Sequence, residues 1–230
     1  MESEVFFSDH MLGYISLYPP WTPQMIKAYH SPSILDDTFC ADKLKITSAL
    51  AIDGELHTQL IRIVVRATED SISYGELISY IIEFSPQNEE LTIIGDEIEG
   101  IDCAINNLPS KPIHRMICLK QYIESLMRTK NFRPFKTLIN HFYMTSQGKY
   151  PLNTFLKEVH ENEIKYHKED NLICYDDIKA KLHRWKSVEK GAHRRKGTTS
   201  QSVEMFNAKM KNTKSDCLSM LNQAVKWSTK

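Results

Sequence analysis

Leu44, Ile46, Ser48, Leu50 and Ile52 alternate with Lys45, Thr47, Ala49 and Ala51, and the dipeptide Asp53-Gly54 follows directly. Successive side chains of a strand point to opposite faces, so this spacing fits a strand with one mainly aliphatic face. Asp-Gly suits a type I′ turn because both positions tolerate positive φ. Leu60 to Val65 is apolar and rich in β-branched residues, with Arg62 and Arg66 on one face. The pattern predicts a β-hairpin over 43–67. No other feature constrains the fold as strongly, because it commits the N-terminal half to a sheet.

The remaining periodicities extend that reading. Ser73-x-x-Glu76 has the spacing of a capping box, and Leu77, Ile78, Ile81 and Ile82 recur at helical intervals. A helix over 73–84 is expected. Leu91–Ile94 and Ile98–Ile105 read as further strands, separated by Gly95 and Asp96. After Pro109 the period lengthens. Ile113, Met116, Ile117, Ile123, Leu126 and Met127 form one amphipathic stripe, beginning near Pro112. Pro134 and Pro151 open two more helical runs, and Ile178, Leu182 and Trp185 mark a fourth. The expected class is α+β, with a small antiparallel sheet and its hairpin in the N-terminal half and a helical C-terminal half. Residues 1–40 read as an irregular arm, since Tyr18-Pro19-Pro20-Trp21-Thr22-Pro23 favours polyproline II. The α+β core is expected over 41–190. A polar linker begins at 191, followed by a basic tail helix to 230, where Val203–Trp227 carries Phe206, Met210, Leu218, Leu221 and Val225.

Charge is balanced overall, with 29 Lys+Arg against 29 Asp+Glu, but it is polarised along the chain. Residues 1–109 contain five basic and eighteen acidic residues, and residues 110–230 contain 24 basic and 11 acidic. Such asymmetry points to separate partners or to association of unlike surfaces; the plainer alternative is that the two halves neutralise each other. A content of 41% hydrophobic and 25% charged residues is ordinary for a globular protein and excludes collagen-like, disulfide-framework and fully disordered classes. No apolar run is long enough for a membrane-spanning helix. The acidic start Met1-Glu2-Ser3-Glu4 has no secretory pattern, and the five cysteines form no C-x-x-C pair. Reduced thiols and a cytoplasmic or nuclear location are expected.

Enzyme signatures are sparse. Gly148-Lys149 is followed by Tyr150, so it does not make a phosphate-binding loop, and no G-x-G-x-x-G or G-x-S-x-G occurs. His160-Glu161 would need a histidine at 164 to bind zinc on one helix face, and Ile164 stands there. A metal-dependent nuclease is the enzymatic alternative. Asp96, Glu97, Glu99 and Asp102 cluster in sequence, and Glu163-Ile164-Lys165 has an E-x-K spacing. Otherwise no catalytic residue, metal or cofactor is expected.

Basic stretches carry the stronger signal. From Lys179 to Lys230 there are thirteen Lys+Arg and three acids. Within it, Arg184-Trp185-Lys186 sets an indole among cations, and Arg194-Arg195-Lys196 follows. From Lys111 to Lys149 there are eight Lys+Arg and one acid, with Arg128, Lys130, Arg133 and Lys136 around Asn131-Phe132. Phosphate backbones bind such clusters through counterion release, and an indole can stack on a base. These ten residues are the candidate contacts to RNA or DNA. An acidic protein, an anionic membrane surface and a second copy of the chain are the other partners the charge would suit. A second candidate partner site comprises Tyr18, Pro20, Trp21 and Pro23, because a P-x-x-P segment can dock in an aromatic groove; the alternative is that these rings tuck onto the chain's own core.

The expected function is therefore a non-enzymatic interaction or assembly protein, an adaptor with an acidic half and a basic half. In size, proline-bearing arm, α+β core and lack of a catalytic motif, the layout resembles the small matrix or nucleocapsid-associated proteins of negative-strand RNA viruses. Those have a basic N-terminal arm where this chain is acidic. The resemblance implies a structural role in assembly.

Overall fold

A computed structural model describes residues 2–8, 11–28, 32–39, 44–52, 58–66, 71–87, 90–108, 111–166 and 173–185. By compactness the chain divides between Arg115 and Met116 into a sheet unit and a helical unit. A single core over 41–190 is thereby replaced by two.

The sheet unit is built on β1 (Glu2–Ser8), β2 (Met11–Tyr18), β3 (Ser33–Phe39), β4 (Lys45–Ile52), β5 (Thr58–Arg66), β6 (Leu91–Gly95) and β7 (Ile113–Ile117). Their order is β1-β2-β5-β4-β3-β6-β7. The predicted hairpin is present as antiparallel β4 and β5, with Lys45 opposite Arg66 and Ile52 opposite Thr58. Its turn, Asp53-Gly54, lies outside the described residues. The sheet is larger than expected and mixed, because β6 runs parallel to β3. The physical cause is the connection: after β5 the chain crosses through α2 (Ser71–Phe84) before returning at the far edge of β3. A helical crossover of this kind joins parallel strands.

Four further expectations are corrected. Residues 1–40 are not an irregular arm but contain β1, β2, α1 (Thr22–Ala28) and β3. Pro19 and Pro20 fall in the turn before α1, and Pro23 is the second residue of α1, where its missing N–H costs nothing. Polyproline II is therefore not what Pro20-Trp21-Thr22-Pro23 adopts. Residues Glu99–Asn106 form a helix, α3, rather than a strand. Ile98, Ile101, Ile105 and Leu108 recur at three and four residues, and Glu99 and Asp102 sit in the first turn, where the helix dipole favours acids. Ile113–Ile117 is β7 rather than the start of a helix; Pro112 at its head accepts the Leu91 amide at 3.0 Å. The capping-box spacing also misleads, since α2 begins at Ser71 and Ser73 is buried inside its first turn.

The sheet unit packs α1, α2 and α3 on one sheet face. Leu35, Ala49, Ile61 and Val64 from the strands meet Met25, Tyr74, Leu77, Ile78 and Ile101 from the helices. Two glycines allow this closeness. A Cβ on Gly100 would stand 3.2 Å from the Tyr74 ring, and one on Gly95 would stand 2.6 Å from Ile101 Cδ1. Arg62 is buried on the same face at a β-bulge. Its guanidinium lies 4.5 Å from the Tyr80 ring centre and 5.3 Å from that of Tyr18, and it pairs with Glu76 at 3.7 Å. At the end of the same face Asp37 receives Lys45 Nζ at 2.7 Å and the Tyr74 hydroxyl. Burial pushes the Asp37 carboxyl above its ordinary range, against the hydrogen bonds from Lys45, Tyr74 and Thr47.

The helical unit contains α4 (Leu119–Thr129), α5 (Lys136–Ser146), α6 (Leu152–Tyr166), α7 (Ile173–Ala180) and α8 (Leu182–Trp185). These follow the predicted stripes from Ile123 onward. Its core is aromatic. Phe142 lies 4.8 Å from Phe155 and 4.9 Å from Trp185, ring centre to ring centre, and Leu126, Leu138, Val159 and Ile178 fill around them. Among the described residues no helix is long and apolar enough to cross a membrane.

Candidate nucleic-acid interface

The end of α4 determines what its basic residues can do. Lys130 and Phe132 both donate their amides to the Leu126 carbonyl, at 3.0 and 3.2 Å. Between them Asn131 takes φ 52°, the left-handed conformation in which a helix commonly terminates and which Asn tolerates. Phe132 turns inward and is buried, so the residues on either side are carried outward. Arg128, in the last turn of α4, is exposed; so are Arg133, Phe135 and Lys136. Arg133 Nε donates to Asn131 Oδ1 at 3.0 Å, and Asn162 of α6 donates to the Arg133 carbonyl at 3.4 Å. The connection is thus tied to α6, and exposed Arg133 and Phe135 lie in it between exposed Arg128 at the end of α4 and exposed Lys136 at the start of α5.

The other sequence candidates are used differently. Lys130 pairs with Asp177 at 2.6 Å. Asp177 also receives Lys181 at 3.0 Å and the Tyr122 hydroxyl at 2.7 Å. Burial works against the Asp177 charge, but the hydrogen bonds from Lys130, Tyr122 and Lys181 outweigh it and hold the carboxyl below its ordinary range. Lys130 is therefore held by a partner within the unit. Trp185 is corrected from a stacking platform to a core residue. It is 0% exposed, and its indole N–H donates to the Ile178 carbonyl at 2.9 Å. A base cannot reach that ring. Arg184 is half-buried on α8. Lys186, Arg194, Arg195 and Lys196 lie outside the described residues.

Of the residues proposed for a proline-rich ligand, Tyr18 is half-buried with its ring 5.0 Å from that of Tyr80. Pro20 and Trp21 are exposed and Pro23 is partly covered at the start of α1. Turn and helix hold them, so they do not form an extended ligand.

Two carboxylates of the nuclease alternative, Asp102 and Glu163, are also engaged. Asp102 accepts Arg115 Nε at 3.3 Å, and Arg115 also donates to the Gly95 carbonyl at 3.4 Å and to that of Asp96. Glu163 is buried and accepts the amides of Cys174 and Tyr175, each at 2.8 Å. Its carboxylate caps the N-terminus of α7 from a neighbouring helix. Burial, and next the Glu163 charge, push the Cys174 thiol up to about 12, so it stays protonated. Among the described residues no three His, Cys, Asp or Glu side chains are grouped to hold a metal ion. Cys103, Cys118 and Cys174 are free thiols; Cys40 and Cys217 lie outside the described residues. His160 packs edge-on against Tyr175 at 5.4 Å, and His167 is outside the described residues.

Phe135, an exposed ring beside the cations of the α4–α5 connection, is a residue the sequence reading missed. Its signal is present: an aromatic between Pro134 and Lys136, out of phase with the Leu138-Phe142 stripe. No known protein family matches the chain, and no curated protein matches it.

Proposed function

We propose that this chain is a non-enzymatic interaction protein whose helical unit binds the phosphate backbone of single-stranded nucleic acid. The observation that carries this reading is the exposure of Arg128, Arg133, Phe135 and Lys136 together, at and between the facing ends of α4 and α5. Cations with an aromatic among them are the elements of sequence-tolerant single-strand binding. The charge distribution supports the same reading. Residues 116–199 hold seventeen basic and nine acidic side chains, whereas residues 1–115 hold seven basic and eighteen acidic. The charge division thus follows the structural one, and a polyanion is attracted to one unit and repelled by the other.

Fluorescence anisotropy with a labelled single-stranded oligonucleotide, in a salt series, tests the proposal. Changing Arg128, Arg133 and Lys136 together to Ala is expected to weaken binding and to shallow the slope of log affinity against log salt by about 2, at roughly 0.7 per lost phosphate contact. Phe135→Ala is expected to cost about 1–3 kcal/mol while leaving the slope nearly unchanged, because stacking releases no counterions. Equal binding by the triple variant and the parent would refute the reading. Binding of the parent to anionic vesicles or to an acidic peptide, without binding to the oligonucleotide, would assign the patch to one of those partners instead.

A further inference from the structure

The seven-stranded sheet has two faces, and α1, α2 and α3 occupy one of them. The pairing register places Ile34 beside Leu50 and Ile94, Leu50 beside Leu60, and Ile46 beside Val65 on the opposite face. These side chains, with Ile63, are 0–3% exposed. An aliphatic face sealed from water to that degree has a cover, and none of the unit's three helices provides it. The helices after Met116 direct their apolar stripes into their own aromatic core. Within the chain, the stretches outside the described residues are six residues or fewer, with one exception, residues 186–230.

We propose that residues 203–227 cover this second face as an amphipathic helical segment, making the sheet the middle layer of a three-layer unit. Length, pattern and charge all fit. Twenty-five helical residues extend about 37 Å at 1.5 Å per residue, ample to cross the four adjacent strands β2, β5, β4 and β3, whose outer pair stand about 15 Å apart. Val203, Phe206, Met210, Leu218, Leu221 and Val225 recur at helical spacing and match the aliphatic character of the face. Residues 203–230 carry five lysines and two acids, opposite in sign to a unit with seven basic and eighteen acidic residues. A consequence follows for the basic stretch between. Residues 186–202, with Arg194, Arg195 and Lys196, are then a loop anchored at both ends, at buried Trp185 and at Val203, rather than a free tail. This inference is independent of what the helical unit binds.

Hydrogen exchange on the full chain tests it without any substitution. Amides of 203–227 are expected to exchange at least a hundredfold more slowly than an unstructured peptide of that sequence. A full-length variant carrying Phe206→Asp and Leu221→Asp locates the contact. It should release the tail amides to peptide-like rates, raise binding of a hydrophobic dye several-fold and quicken exchange in β3, β4 and β5, leaving α4–α6 unchanged. Peptide-like exchange of 203–227 in the parent overturns the proposal, even if the variant does not fold. So does a variant whose tail is released with no change at the sheet. Tail protection present only at concentrations where light scattering reports a dimer also overturns it, because the cover would then come from a second copy.

Discussion

Asp177 takes one charge-assisted hydrogen bond from Lys130, one from Lys181 and a third from the Tyr122 hydroxyl. A carboxylate so supplied with donors resists protonation, and its lowered value links the helical unit's stability to acid. The sign follows from the direction of the shift. The unfolded chain takes up this proton near the ordinary aspartate value of about 3.9, whereas the folded chain holds it off until lower pH. The stability contributed by Asp177 is therefore complete above about pH 5 and is lost as pH falls through the lowered folded value. Asp177→Asn is expected to lower the urea midpoint at pH 7 and to flatten its decline below about pH 4. A variant with the parent's decline on acidification would show that other carboxylates carry the effect. The same residue accounts for a misplaced sequence expectation. Lys130 stands among four cations in the sequence, yet its partner is 47 positions away, and no local pattern reports a pairing that distant. Trp185 shows the converse limit. Its setting among Arg184 and Lys186 reads as a nucleic-acid platform, but its i−7 relation to Ile178, two turns back, is what the core uses.

At the level of elements, α7 is eight residues long and too short to be stable by propensity alone. Its first-turn amides are satisfied from outside, by Glu163 on α6. Glu163→Ala would leave two amides of α7 without their acceptor in a buried setting, at a cost of about 1–3 kcal/mol. Glu163→Gln keeps one acceptor oxygen and should recover part of that loss; thermal melts of the three proteins measure it. Equal melting temperatures for all three would remove Glu163 from the account of α7. How well each element could be read follows the same division between local and distant causes. The β4–β5 hairpin, α2, β6 and the helices from α4 onward were legible because their apolar spacing is regular over several turns or pleats. Ile98–Ile105 reads as a strand on its β-branched content alone, whereas the three- and four-residue spacing of Ile98, Ile101 and Ile105 fits the helical period. The strands in 1–40 were hidden by their neighbours: three prolines near Trp21 belong to a turn and a helix start, but they weigh on a reading of the whole segment. The parallel pairing of β3 with β6 depends on which edge the chain returns to after α2, a choice made by packing and not written in either strand. The exposed cations of the α4–α5 connection were visible from composition; the exposure of Phe135 required the structure.

At the scale of the whole molecule, two hydrophobic clusters among the described residues are built from different materials. One is a sheet face of Leu35, Ala49, Ile61 and Val64 under helices; the other is a cluster of Phe142, Phe155 and Trp185 among helices. The two clusters share no side chain, so each unit has its own source of cooperativity. Trp185 supplies the sharpest test, because its ring meets both phenylalanines, at 4.9 and 5.9 Å, and its N–H is bonded inside the same unit. Truncating a buried tryptophan costs about 3–5 kcal/mol, a large part of the stability of a unit of this size. Scanning calorimetry of the parent should show two transitions, and Trp185→Ala should lower one and leave the other within about 1–2 °C, as expected for sites without shared partners. The shifted transition is identified by far-ultraviolet circular dichroism, since it is the one that removes helix while the β signal persists. A single transition that moves as a whole would mean that the two cores unfold as one, and the separation of an acidic sheet unit from a basic helical unit would then describe charge alone.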